Sequence, residues 1–220
     1  MRTTDRRPRA DEHDLSSWRA SSAARSTTNE ASRLALSGLL VVMAFVGYEW
    51  FMSGLTKIVR GGFPSGLAAE LREKSQGTVG WYKSFLDGTV IPNGKAFGIL
   101  IELGELAGGI VFIAAAVLLL WRWQQLSYHG ALGVLATVAL ASLAAIFMNI
   151  NFHLANASPH PWLIPKDGFD EGVDMDSLLP LIQLAFVVVS VRLIVLLRRA
   201  RAGGRDTPEA TPTRRASLTG

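Results

Sequence analysis

Cysteine is absent from the 220 residues. Its absence excludes disulfide exchange, thiolate catalysis, cysteine-ligated iron–sulfur clusters and c-type haem attachment within this chain. It also removes the four-helix membrane thiol oxidoreductase, an architecture that would otherwise suit a chain of this length. Histidine is scarce, limited to His13, His129, His153 and His160. A b-type haem needs two histidines at similar depth on facing helices, whereas His129 and His153 fall at opposite ends of one apolar run, about 36 Å apart along a helix. No haem is expected. His153 and His160 are the one pair that could share a metal, but an interfacial histidine bonded to backbone or headgroup is the simpler account, and no metal site is expected. The acids Asp167, Asp170, Glu171, Asp174 and Asp176 lack the spacing of an EF-hand and read as a solvated loop, with Asp176 or Ser177 capping the helix that follows. No internal repeat is evident.

What the chain has in quantity is apolar residues, 49% of the total, concentrated in four blocks at 34–58, 96–121, 130–151 and 178–197. Each holds about 20 residues or more, enough for roughly 30 Å of hydrocarbon. The pattern predicts an all-α, polytopic membrane protein, a bundle of four transmembrane helices. The first block begins too far into the chain, and carries Glu49 and Lys57 too soon, for a cleavable signal peptide, so it reads as a retained helix. The organisation expected is a basic tail at 1–32, a membrane domain at 33–199 and a second basic tail at 200–220, both tails disordered.

Arginine sets the orientation. Arg2, Arg6, Arg7, Arg9, Arg19, Arg25 and Arg33 precede the first span, Arg198, Arg199, Arg201, Arg205, Arg214 and Arg215 follow the last, and Arg122 sits in the short second connection. The positive-inside rule then puts both termini on the cytoplasmic side of the cell membrane and the two longer connections outside. Arg192, about five residues from the cytoplasmic end of the fourth span, is placed to snorkel as an anchor. The net charge of +4 therefore reports topology, and nucleic acid is not an expected partner. In the first outer connection Pro64 and Ser65 can start a helix, and Trp81, Tyr82 and Phe85 fall at helical spacing, as in a segment lying at headgroup depth with Lys83 toward water.

Polar residues inside the spans carry the functional signal, because a carboxylate in a crossing costs several kcal/mol unless it is paired, protonated or facing a polar space. Glu49, Ser53 and Lys57 share one helical face. Gly98, Glu102, Glu105 and Gly109 form a second stripe whose glycines permit close approach of a neighbouring helix. Ser142, Ala145, Asn149 and His153 form a third, Gln183 and Ser190 a fourth. At about 1.5 Å per residue, Glu49 and Glu105 lie roughly 13 Å below the outer surface, Glu102 about 9 Å and Gln183 about 8 Å, with Lys57, Asn149, Asn151 and His153 near the rim. The stripes converge on one polar pocket in the outer half of the bundle. In the structural reading Glu102 pairs with Lys57 and the remaining groups are hydrogen-bonding glue. In the functional reading Glu49, Glu102 and Glu105 are catalytic, passing protons with their pKa values raised by crowding and desolvation, and Lys57, Asn149, Asn151, His153 and Trp50 bind a polar head.

The run from Gly47 through Glu49, Trp50 and Ser53 to Lys57, the sequence Gly61-Gly-Phe-Pro, the run Glu102-Leu-Gly-Glu-Leu-Ala-Gly-Gly, and Asn151-Phe-His-Leu-Ala-Asn followed by His160-Pro-Trp resemble the DoxX/DoxD-like family of four-helix membrane proteins, in its actinobacterial branch. The resemblance covers about 34–197 and neither tail. It implies a membrane subunit: the DoxD branch is the quinone-reducing part of a thiosulfate:quinone oxidoreductase working with a DoxA subunit, and other members associate with redox-stress complexes. This chain carries no DoxA-like domain, so a redox partner subunit is implied. Quinone reduction needs an apolar cleft, donors to the two carbonyls and two protons. The glutamates could supply the protons, Lys57, Asn149 or His153 a donor, and Trp50 or Trp81 a stacking surface. No residue is a redox centre, so electrons must come from a partner or the substrate. Three functions stay open: a membrane subunit of a quinone-linked oxidoreductase, a non-enzymatic scaffold docking through its tails, and a small transporter for an anion or proton.

Overall fold

The computed structural model describes residues 10–157 and 175–203, with side chains described from residue 30 onward apart from Asp176. These residues form helices and turns, with no strand among them. The helices are α1 (Ala10–Arg60), α2 (Phe63–Lys74), α3 (Gly80–Phe85), α4 (Gly94–Trp121), α5 (Tyr128–Ala155) and α6 (Met175–Gly203). Four stretches are long and apolar enough to cross a membrane: Glu30–Arg60 of α1, Gly94–Trp121, Tyr128–Ala155 and Ser177–Gly203 of α6. The chain is an all-α membrane protein of the four-span class, as its apolar blocks predict. The proline-rich loop with His160 and Trp162, the acids Asp167, Asp170, Glu171 and Asp174, and the segments 1–9 and 204–220 lie outside the described residues.

The chain divides into two units, Met1–Val42 and Met43–Gly220. The first is described as helix from Ala10. Residues 10–32, expected to be an irregular tail, are therefore helical. Their alanines, arginines and glutamates are good helix formers, and elongation from an existing helix avoids the cost of a new nucleus.

In the second unit the helix ends are set by local chemistry. Gly61 and Gly62 sit at φ 69° and 82°, a left-handed conformation that glycine adopts without a Cβ clash, and they stop α1 and turn the chain into α2. Pro64 occupies the first turn of α2, where its missing N–H is no loss, and Ser65 Oγ donates to Gly62 O at 2.9 Å. The start of α5 is capped by Ser127, whose Oγ accepts from Gly130 N at 3.1 Å.

Toward the end of the bundle remote from α2 and α3 the interior is dry, with Phe112 and Phe186 fully buried and their rings 5.8 Å apart, beside Ala115, Ala116, Leu135 and Val138. The long apolar side chains Leu100, Leu140 and Val188 are exposed instead, the arrangement expected of a helix bundle whose solvent is lipid. α5 and α6 run antiparallel through a polar ladder: Ser177 Oγ lies 3.4 Å from His153 Nδ1, Asn149 Nδ2 donates to Gln183 Oε1 at 3.0 Å, and the same register sets buried Ser142 across from buried Ser190. α1 crosses α4 on its glycine stripe. A Cβ at Gly109 would run into the backbone of Phe51, and one at Gly54 into that of Leu106 and Glu102.

The connection between α1 and α4 is a packed cap. Leu67, Leu71, Tyr82, Leu86, Val90 and Ile91 form a small core with Ala155 at the end of α5, flanked by Phe97 and Ile101 of α4. Thr78 Oγ1 donates to Leu154 O at 2.6 Å, and Tyr82 Oη donates to Asn151 Oδ1 at 3.0 Å and to its carbonyl at 3.1 Å. Trp81 turns outward, as an interfacial segment requires, and Phe85 is partly exposed beside Tyr82, which is buried. Lys83 is held by Asp87 at 2.8 Å. After Phe85 the chain widens into a π-helical turn, Leu86–Val90, closed by Ile91 N donating to Leu86 O at 2.8 Å.

Two measurements test this packing. Gly109→Ala should lower stability in detergent by about 1–3 kcal/mol, because overpacking against backbone outweighs alanine's better helix propensity, while Gly133→Ala, with open space around it, should hold or raise stability. Burial pushes the Tyr82 hydroxyl up to about 12, above the tyrosine value of about 10. The neutral phenol is thus favoured in the folded cap, and the stability it contributes is fully present below pH 10 and lost as pH rises through 12. Ultraviolet titration of tyrosinate should show a transition near pH 12 that disappears in Tyr82→Phe.

Candidate functional site

Between the dry half of the bundle and the cap lies a cavity of about 420 Å³. Its apolar wall comes from Phe97 and Ile101 of α4, Phe147 and Met148 of α5, Leu179 of α6, and Leu67, Phe85 and Leu86 of the cap. Its polar residues include Glu49, Trp50, Ser53, Lys57, Glu105, Asn149, Asn151 and Tyr82.

The densest chemistry is where α1 meets α4. Lys57 Nζ donates to Glu105 Oε2 at 2.5 Å and Oε1 at 2.7 Å, and to Ser53 Oγ at 2.8 Å. Ser53 Oγ donates in turn to Glu105 Oε2 at 3.0 Å. The carboxylate thus takes both of its oxygens to charge-assisted bonds, the geometry of an ionised acid held by a cation. The Glu105 side chain is only 4% exposed and that of Lys57 24%, and Phe63 covers the ammonium, its ring centroid 5.2 Å from Nζ. Helical phase explains the cluster. Ser53 and Lys57 are one turn apart on α1, and Glu105 falls on the face of α4 that also carries Ile101 and Phe97.

Glu102 is therefore not the partner of Lys57. It is buried at 8% exposure, but it does not line the cavity. It belongs to the stripe of Gly98 and Gly109, which face Pro64 and Phe51, and its own carbonyl lies beside the place a Cβ on Gly54 would fill. Three residues of helix separate the two acids by about 60°, enough to send one to the cavity and the other to the helix crossing. Glu49 is on the cavity wall one turn from Ser53 and is exposed. Asn149 and Asn151 also reach the wall. Asn149 is turned to Gln183, and Asn151 holds Tyr82 while its Nδ2 donates to Phe147 O at 2.7 Å. His153 is buried in the α5–α6 contact against Ser177 and is not among the lining residues. Trp50 is on the wall, buried at 3% exposure.

Residues beyond the in-span polar set complete the site. Tyr82 belongs to the cap, and its helical spacing with Trp81 and Phe85 did not show which of the three aromatics turns inward. Glu70 and Lys74, joined at 2.8 Å, form an exposed pair at the rim. Their i,i+4 spacing with acid before base was the available signal. Among the described residues no three His, Asp or Glu side chains gather as a metal would require.

The ion pair yields to a double-mutant cycle. Removing one partner leaves a buried charge, so Lys57→Met and Glu105→Gln should each cost about 3–5 kcal/mol in unfolding assays in detergent. The combination Lys57→Met with Glu105→Gln should recover much of that loss, and additive losses would show the pair is not coupled.

No family model, curated protein or solved structure matches the chain.

Proposed function

We propose that the chain is a quinone-binding membrane subunit of a quinone-linked oxidoreductase of DoxX/DoxD-like type, lying in the cell membrane with both termini cytoplasmic and the capped end facing outward. The observation that carries this reading is the Lys57–Ser53–Glu105 cluster set into the wall of an otherwise largely apolar cavity inside the spans. An apolar cleft with a few convergent polar groups is the general form of a small-molecule site, and about 420 Å³ accommodates a quinone ring with the beginning of its tail.

Charge separates this reading from anion transport. The lining residues carry three carboxylates, Glu49, Glu70 and Glu105, against two lysines, Lys57 and Lys74, and each lysine is already neutralised by an acid. Such a wall favours a neutral head over an anion. The scaffold reading is served by the same ion pair acting as structural glue, and only function distinguishes the two.

Reduction of a quinone to a quinol takes up two electrons and two protons. In this reading the electrons come from a partner subunit or a donor substrate. The protons are the chain's part. The Lys57 N–H groups are engaged by Ser53 and Glu105, so the three side chains act as one unit on the cavity wall, and a proton passed to a quinone oxygen would be one that this cluster shares. Glu49, exposed on the same wall, can carry a replacement proton, and the Glu70–Lys74 pair at the rim is positioned toward water.

Reduction of a short-tailed quinone should be measured in membranes that contain the chain and its partners. Glu105→Gln and Glu49→Gln should each lower the rate by about a hundredfold while the protein still accumulates. Asp87→Asn, in the cap but off the cavity, should leave it unchanged. Undiminished quinone reduction in the Glu49→Gln and Glu105→Gln double variant would return the cluster to a purely structural role.

A further inference from the structure

The cavity does not stop at the interior of the bundle. Three consecutive residues of α5, Phe147, Met148 and Asn149, all line it, and together they sweep about 200° of the helix circumference. Asn149 turns to α6, where it bonds Gln183. Met148 turns to α4, its Sδ 3.3 Å from the place a Cβ on Gly104 would take. Phe147 is 67% exposed, and it lies about 12 Å of helical rise inside the capped end of a span apolar enough to cross the membrane. A side chain that borders the cavity and is also exposed at this depth stands at a mouth. Ile101 and Phe97, half-buried and on the cavity wall, lie about one and two turns of α4 capward of Gly104. The gap between α4 and α5 is thus closed toward the dry core by Met148 against Gly104. On its other side stands the cap, with Tyr82 bonded to Asn151 and Phe85 41% exposed. Between the two is a largely apolar window. The cavity also reaches Glu70 and Lys74, whose side chains are about half exposed, and that rim is polar.

We infer that the window between α4 and α5 is a lateral portal to the hydrocarbon, and that the ligand is a long-tailed, membrane-dissolved quinone whose head lies at the Lys57–Ser53–Glu105 cluster while its tail leaves by the portal. The portal rests on the quinone reading and narrows it to the lipid-soluble members of that class. The size of the cavity agrees, since about 420 Å³ holds a ring and the beginning of a tail. The remainder of a long tail needs an apolar exit, which the polar rim at Glu70 and Lys74 does not offer and the hydrocarbon beside Phe147 does. Met148 is the residue that sets passage. Its side chain is unbranched and flexible, and it faces a glycine, so it has room to move aside without disturbing either helix.

The test uses the full chain in nanodiscs of phosphatidylcholine and a 1,4-benzoquinone whose decyl tail ends in a photoreactive diazirine. In the unaltered chain, labelling that excess unlabelled decyl-benzoquinone competes away should fall on α4 and α5 around Ile101 and Phe147. Gly104→Leu, which crowds Met148 into the window, should weaken binding of the decyl quinone about tenfold and leave tailless 1,4-benzoquinone, which can enter by the polar rim, unchanged. The atoms nearest Gly104 are the far end of a flexible side chain, so the variant spares the backbone crossing of α1 and α4, and the labelling arm needs no variant at all. Competed labelling that misses α4 and α5 and falls on the polar rim at Glu70 and Lys74, or equal effects of Gly104→Leu on the two quinones, overturns the portal and leaves the quinone site standing. Absence of saturable binding of either quinone to the unaltered chain removes both.

Discussion

A lysine and a glutamate within the hydrocarbon-spanning region are each costly, and together they form a neutral unit. The Lys57–Glu105 pair, completed by Ser53, is the interaction on which the capped half of this bundle depends. Because desolvation must be offset by close geometry, the pair requires α1 and α4 at short separation and in one rotational setting. The glycine stripe allows it. With no Cβ at Gly109 or Gly54 the backbones meet directly, and the two charges sit a short reach apart. Helix crossing and ion pair are thus one constraint seen from backbone and side chain.

The two ends of the bundle solve different packing problems. The end remote from the cap closes on aromatic and aliphatic side chains around Phe112 and Phe186. The other end cannot close in that way, because its helices carry Lys57, Glu105, Asn149 and Asn151 inward. A cap built from α2, α3 and the π-helical turn covers it instead, tied to the end of α5 through Thr78 and Tyr82. What remains between cap and dry core is a cavity whose wall is apolar except where polar residues could not be avoided or are used. A π-helical turn within the cap fits this account, since such turns recur where a helix is bent to serve a site.

Helical phase carried much of this in advance. Ser142, Ala145, Asn149 and His153 are all buried, as are Gln183 and Ser190, Glu102 and Glu105, and Gly98 and Gly109. Each was legible because spans of this length leave a lipid-facing helix one place to put polar groups. Phase was less informative within a stripe. Glu102 and Glu105 lie about 60° apart on α4, and sequence spacing could not say which would meet Lys57. His153 shares its face with Asn149, yet it packs against Ser177 in the α5–α6 contact and is not on the cavity wall. Tyr82, one of three aromatics in a short segment, turns inward because the cap packs on α5, a contact 69 residues away in sequence.

By itself the sequence determined the all-α class, the four spans, and the inward faces of the second, third and fourth spans, because length, hydropathy and 3.6-residue periodicity act within a single segment; in the first span Leu40, Met43, Val46 and Trp50 are buried and Glu49 is exposed. Only the tertiary structure decided that Glu105 is the partner of Lys57, that the connection between the first two spans is a cap, that a cavity lies beneath it, and that the Trp50 indole is left without an acceptor. Each of these depends on the rotation and separation of helices remote from one another in the chain. A periodicity read along one helix specifies which face is turned inward, and leaves open what it meets there.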